Sequence, residues 1–89
     1  KVYSCRSGIV KKIVKNDYIY GNYIEIKHNE NITSLYAHLS EILIKENETI
    51  SGGQLIGKVG TTGLTTGPHL HFEVLLNGVK QNPMNYVRR

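Results

Sequence analysis

The sequence is poor in the features that most often announce a function. It has one cysteine, Cys5, among 89 residues. A single thiol cannot close an internal disulfide or build a cysteine-rich zinc site. Cys5 lies in an apolar segment and reads as a small buried core residue. No apolar run approaches the ~18–20 residues that a membrane-spanning helix needs. No signal-peptide pattern opens the chain. It begins at Lys1 rather than methionine, and Val2-Tyr3 already reads as strand. The expectation is therefore a piece cut from a longer polypeptide. Low-complexity linkers, exact internal repeats and a sustained helical period are all missing. The formal net charge is +4, but the basic residues are scattered. Without a basic stripe interleaved with aromatics, nucleic-acid recognition is not expected. The charge suits either an anionic polymer such as bacterial wall or an ordinary lysine-rich solvated surface.

What is present reads as strand and turn. Hydrophobic content of 39% and charged content of 20% suit a folded domain. The length suits one small domain spanning residues 1–89, with a modest core. "SGIVKKIVKN" (Ser7–Asn16) is β-branched and stops at the turn formers Asn16-Asp17. "YIYGNYIEIKH" alternates, with Ile24 and Ile26 facing one way and Tyr23, Glu25 and Lys27 the other. "HNEN" (His28–Asn31) is a hairpin turn, and "ITSLYAHL" is its returning strand. Ser40 could start one helical turn. Gly52-Gly53 marks a turn before the short strand Leu55–Val59. "HLHFEVLL" is a strand, Asn77-Gly78 is a type I′ hairpin signal, and Pro83 opens a tail. Short strands parted by Gly and Asn turns predict an all-β sandwich or barrel.

The chemistry concentrates in "TTGPHLHFEV" (Thr65–Val74). Side chains alternate along a strand, so His69 and His71 are expected on one face, with Leu70 and Phe72 on the other. Two imidazoles at that spacing can serve one metal ion and a group bound to it. They can equally be hydrogen-bonded structural histidines. Gly67-Pro68 just before them permits a sharp turn and close approach of a ligand to the backbone. Glu73 lies one step further along the same face. It reads either as the acceptor that orients a ligand imidazole or as a solvent-facing carboxylate. His38 is expected at a strand end, where functional groups often sit. His28 reads as a solvent-exposed turn residue, and Asp17 as a turn former.

"TGLTTGPHLHFEV", "LYAHLS" and "GGQLIGKVG" together resemble the lysostaphin/LytM-type zinc endopeptidases, which cut peptide bridges of bacterial peptidoglycan. The likeness runs from Val2-Tyr3, Gly8 and Val10 through Gly21-Asn22 to Asn77-Gly78 and Asn82-Pro83. It implies a small twisted antiparallel β architecture, a sandwich and barrel hybrid with a groove over the metal site. It implies Zn2+ as cofactor, with His71 as a ligand. It implies that His69 works beside the metal as a general base or oxyanion stabiliser, with His38 as its catalytic partner. The implied partners are peptidoglycan peptides, in the cell envelope, periplasmic or extracellular.

One departure matters. The family takes two further ligands from an H-x-x-x-D motif ahead of the segment matching Val2-Tyr3. His28 and Asp17 do not match it. These 89 residues would hold one ligand of three, so either the full protein carries the motif upstream or the chain has lost zinc. In the second case it would be an inactive module that binds wall peptide or a protein partner in cell division or sporulation. A histidine phosphocarrier of related β fold is a more distant alternative, and "GPHLH" does not look like its arrangement.

Overall fold

Eight strands and no helix occupy the described residues, 1–81, of the computed structural model. They are β1 (Val2–Tyr3), β2 (Gly8–Asp17), β3 (Gly21–Lys27), β4 (Ile32–Ile42), β5 (Thr49–Ile50), β6 (Leu55–Val59), β7 (His71–Leu76) and β8 (Val79–Gln81). Asn82-Pro83 and the expected tail lie outside the described residues. Turn chemistry sets the strand ends. Asn77 (φ 52°) and Gly78 (φ 83°) are both left-handed, as a type I′ turn between β7 and β8 requires. The Asp17 carboxylate accepts the Ile19 and Tyr20 amides at 3.1 and 2.8 Å, closing the turn into β3.

All pairings are antiparallel, in the order β1-β6-β4-β3-β2-β5, with β7 and β8 branching from β4. The branch positions everything that follows. One edge of β4 pairs with β3 from Asn22↔Leu39 to Lys27↔Thr33. Its other edge is divided. Ile32 to Ala37 pair with β7, and Leu39 to Ile42 pair with β6. The sheet therefore forks at His38, and residues 60–70, which join β6 to β7, lie over the fork.

The two faces of β4 carry separate apolar clusters. Ile24, Ile26, Tyr36, Leu39, Val10, Ile50 and Ile56 form the larger one, with Phe72 packed against it. Tyr23, Leu35 and Ala37 form the smaller one, with Val14 and Tyr20 alongside. Period-two alternation explains why β3 feeds Ile24 and Ile26 to one cluster and Tyr23 to the other. A strand buried on both faces is near-continuously apolar, and "SLYAHL" is buried throughout from Ser34 to Leu39.

Three local expectations change. Ser40 starts no helical turn, because β4 runs on to Ile42 in register with β6. His38 lies inside β4 rather than at its end. His28 is half-buried rather than a free turn residue. Its Nδ1–H donates to the Ser7 carbonyl at 2.7 Å, and its Nε2 meets the Ser34 hydroxyl at 2.7 Å. The Tyr36 hydroxyl extends this network from Ser34 to Cys5, at 2.9 and 3.2 Å. Burial alone would push the Cys5 thiol up, but His28 and Tyr36 bring it below its ordinary value. The cluster sits on the larger-core face and ties the segments that follow β1 and β3 to β4.

Candidate functional site

A one-residue bulge aims His38. The β3 partners Asn22 and Ile24 are two apart, whereas their β4 partners Leu39 and Tyr36 are three apart. The extra residue breaks the alternation, and His38 absorbs it with a left-handed backbone (φ 62°). Regular alternation would turn Leu39 away from Tyr36. The bulge returns Leu39 to the larger core and releases His38 beside Ala37, which pairs directly with His71. His38 is only 5% exposed. Its amide donates to the Tyr20 carbonyl at 2.8 Å, and its carbonyl accepts from Gly60 at 2.9 Å.

Three imidazoles converge here. The His38 ring lies 5.8 Å from that of His69 and 5.8 Å from that of His71, centroid to centroid. His71 opens β7, as the alternation argument expects. His69 reaches the same place from the loop, because β7 does not begin until His71. His28 belongs to the opposite face of the sheet and takes no part.

Each of the three rings is tied at one nitrogen. His38 Nδ1 lies 2.7 Å from the Thr62 carbonyl. His69 Nδ1 lies 2.9 Å from the Gly67 carbonyl, with the Thr65 hydroxyl at 3.3 Å. A carbonyl only accepts, so in both rings Nδ1 carries the hydrogen, and in the neutral imidazole Nε2 keeps its lone pair. His71 is tied the other way round, its Nε2–H donating to Glu73 Oε2 at 2.6 Å. That leaves the Nδ1 lone pair of His71 available.

Glu73 is buried, which settles its two sequence readings against the solvent-facing one. The same Oε2 accepts the Tyr20 hydroxyl at 2.9 Å and pairs with Lys80 Nζ at 3.2 Å. Burial works against ionisation, yet the bonds from His71, Tyr20 and Lys80 outweigh it and hold the carboxyl below the usual range. The hydrogen bond that Tyr20 donates to Glu73 pushes the phenol up. The Tyr20 ring also lies 5.6 Å from His71, which fixes the imidazole from its face as well as its edge.

The loop over the fork is anchored by contacts distant in sequence. The Thr62 hydroxyl donates to the Leu39 carbonyl at 2.7 Å and accepts the Asn22 amide at 3.0 Å. Asn22 Nδ2 donates to the same Leu39 carbonyl at 3.0 Å. Gly21 (φ 66°) lies so close that a Cβ there would sit 2.3 Å from the Thr62 carbonyl carbon. Gly21→Ala is expected to cost roughly 2–4 kcal/mol, from overpacking plus left-handed strain. Thermal melts check this, and an unchanged Tm would show that the loop yields. Sequence reasoning missed Tyr20 and Thr62 as contributors to the site. Their partners lie 53 and 40 residues away, and no local period signals them.

Among the described residues, no three His, Cys, Asp or Glu side chains gather closely enough to hold a metal. His71 alone offers a free ring nitrogen backed by a buried carboxylate, the usual support of a metal-bound histidine.

The family model described as Peptidase family M23 matches residues 1–83. The chain is 42% identical over 82 residues to peptidoglycan DD-endopeptidase ShyC of Vibrio cholerae, covering 92% of this chain and 19% of that protein. It therefore spans about a fifth of the length of such curated relatives. Its fold is similar to a zinc-containing peptidase from Vibrio cholerae, with TM-score 0.90 and 42% identity over 93% of this chain and 25% of that one. It is similar also to the catalytic domain of lysostaphin from Staphylococcus simulans, with TM-score 0.89 and 33% identity over 96% of this chain and 68% of that one.

Proposed function

The chain belongs to peptidase family M23, and on that premise we propose that it is the histidine-bearing part of a zinc-dependent endopeptidase. Its substrate is the peptide cross-links of bacterial peptidoglycan, and its place of action is the cell envelope, periplasmic or extracellular. One observation carries the reading: three imidazoles meet at the fork of the sheet, each tied at one nitrogen and without a partner for the other among the described residues. Purely structural histidines would be expected to satisfy both nitrogens, as His28 does on the opposite face.

His71 is the ligand its surroundings suit, since the Glu73 carboxylate accepts Nε2–H and leaves Nδ1 for the metal. A catalytic zinc takes three protein ligands and an open position, so in this reading two more would come from outside the described residues. Zinc, when bound, supplies Lewis acidity, polarising a carbonyl and making water a better acid. His38 and His69 present Nε2 lone pairs to the same space. One accepts the proton of the attacking water, and the protonated ring then donates to the developing oxyanion or the leaving amine. The threonines and glycines of 61–67 would let an extended peptide lie close to the backbone in front of the rings.

The experiment is digestion of purified cross-linked peptidoglycan by the full-length protein with zinc, with products read by mass spectrometry. New amino termini at the cross-links support the reading, and intact cross-links sink it. A second prediction isolates Glu73. Glu73→Gln is expected to weaken zinc binding about 10–100-fold, measured by competition with a chromogenic chelator. Unchanged affinity would remove Glu73 from the site.

A second reading draws on one observation: the described residues gather no group of three metal-binding side chains. In that reading the same site docks wall peptide or a protein partner without cutting. Binding of the full-length protein to peptidoglycan with no hydrolysis, with or without zinc, selects it.

A further inference from the structure

We infer that Thr62 is a positioning residue whose hydroxyl, through the backbone it anchors, sets which nitrogen of His38 faces the site. This rests on the peptidase reading above. His38 Nδ1 donates to the main-chain carbonyl of Thr62. That carbonyl belongs to the loop at 60–70 and has no strand register to hold it. Its anchor is the side chain of the same residue. The hydroxyl uses its one hydrogen on the Leu39 carbonyl, the residue after His38, and receives the Asn22 amide from β3.

The arrangement closes a short loop of bonds around the bulge. From His38 the path runs through the ring to the Thr62 carbonyl, through the Thr62 side chain to Leu39, and back along the chain. Gly21 fits against Thr62 with no space for a Cβ, so the loop cannot slide toward β3. Without the hydroxyl the carbonyl can move away from Nδ1, and the ring can turn or exchange tautomer. Either change takes the Nε2 lone pair from the place where His69 and His71 meet it. Displacements of about 1 Å in such groups can cost about 10²-fold in rate.

The test uses the full-length protein. Thr62→Val keeps the shape and removes the hydroxyl, and Thr62→Ser keeps the hydroxyl. For Thr62→Val the expectation is a kcat lower by about 10–100-fold, with KM and bound zinc unchanged. Thr62→Ser is expected to return most of the rate. A purely structural role would instead lower Tm and the active fraction, so kcat is taken per active site, counted by bound zinc. Wild-type kcat in Thr62→Val overturns the inference. Ring ¹⁵N NMR at fixed pH provides a readout independent of activity. Wild-type His38 is expected as the single Nδ1–H tautomer, and Thr62→Val as a mixture. An Nε2–H tautomer in the wild type overturns the inference even if Thr62→Val does not fold. Failure to hydrolyse with the Nδ1–H tautomer intact would instead count against the peptidase reading alone.

Discussion

Replacing His71 by alanine in the full-length protein is expected to strip its bound zinc and abolish hydrolysis. The ring is the one group among the described residues with a free nitrogen and a buried carboxylate behind it. A three-ligand site that loses one ligand keeps two, too few to hold zinc through dialysis against a weak chelator. Metal analysis after dialysis is the direct measurement, with less than a tenth of the wild-type zinc expected. His71 stands at the start of β7, and its side chain is 38% exposed, so the fold should survive its removal. A thermal melt checks that point. Full hydrolytic activity in His71→Ala would sink the zinc assignment.

His38→Ala and His69→Ala should behave differently. Both are expected to retain zinc and to lose turnover by about 10²–10⁴-fold, the span of general acid–base assistance. The rings flank the space in front of His71 but are tied to carbonyls of the loop rather than to a buried carboxylate. The two losses should not add, because the rings share one proton-transfer task. The double variant is therefore expected close to the worse single one. Zinc content and kcat measured on the same preparations separate the cases. If His69→Ala loses zinc as completely as His71→Ala, the division of roles proposed for the pair is wrong.

Much of this was legible in the sequence. Alternation in "YIEIKH", the Asn77-Gly78 turn and the strand at Leu55–Val59 all appear where local pattern puts them. The structure does place the rings of His69 and His71 beside that of His38, though not for the reason of strand period. His69 is in the loop, and the Nδ1 bond to Gly67 brings its ring to His38. Local reasoning failed at His28, which a turn position marks as solvated. It is held by Ser7 and Ser34, 21 and 6 residues away. Tyr20 was invisible for the same reason, since its hydroxyl matters only once β7 brings Glu73 beside it.

The sequence by itself determined the class of fold and the candidate imidazoles. Both rest on short-range physics: a side-chain period of two, turn residues that accept left-handed backbone, and motif residues close together in the chain. The tertiary structure decided how those imidazoles face. The tautomer of each ring depends on a carbonyl or carboxylate opposite it, and for His38 that group is 24 residues away. The bulge that turns His38 toward His71 exists because β4 pairs with β3 on one edge and divides between β6 and β7 on the other. Such a fork is a property of three-dimensional pairing, and no window of sequence around His38 contains it.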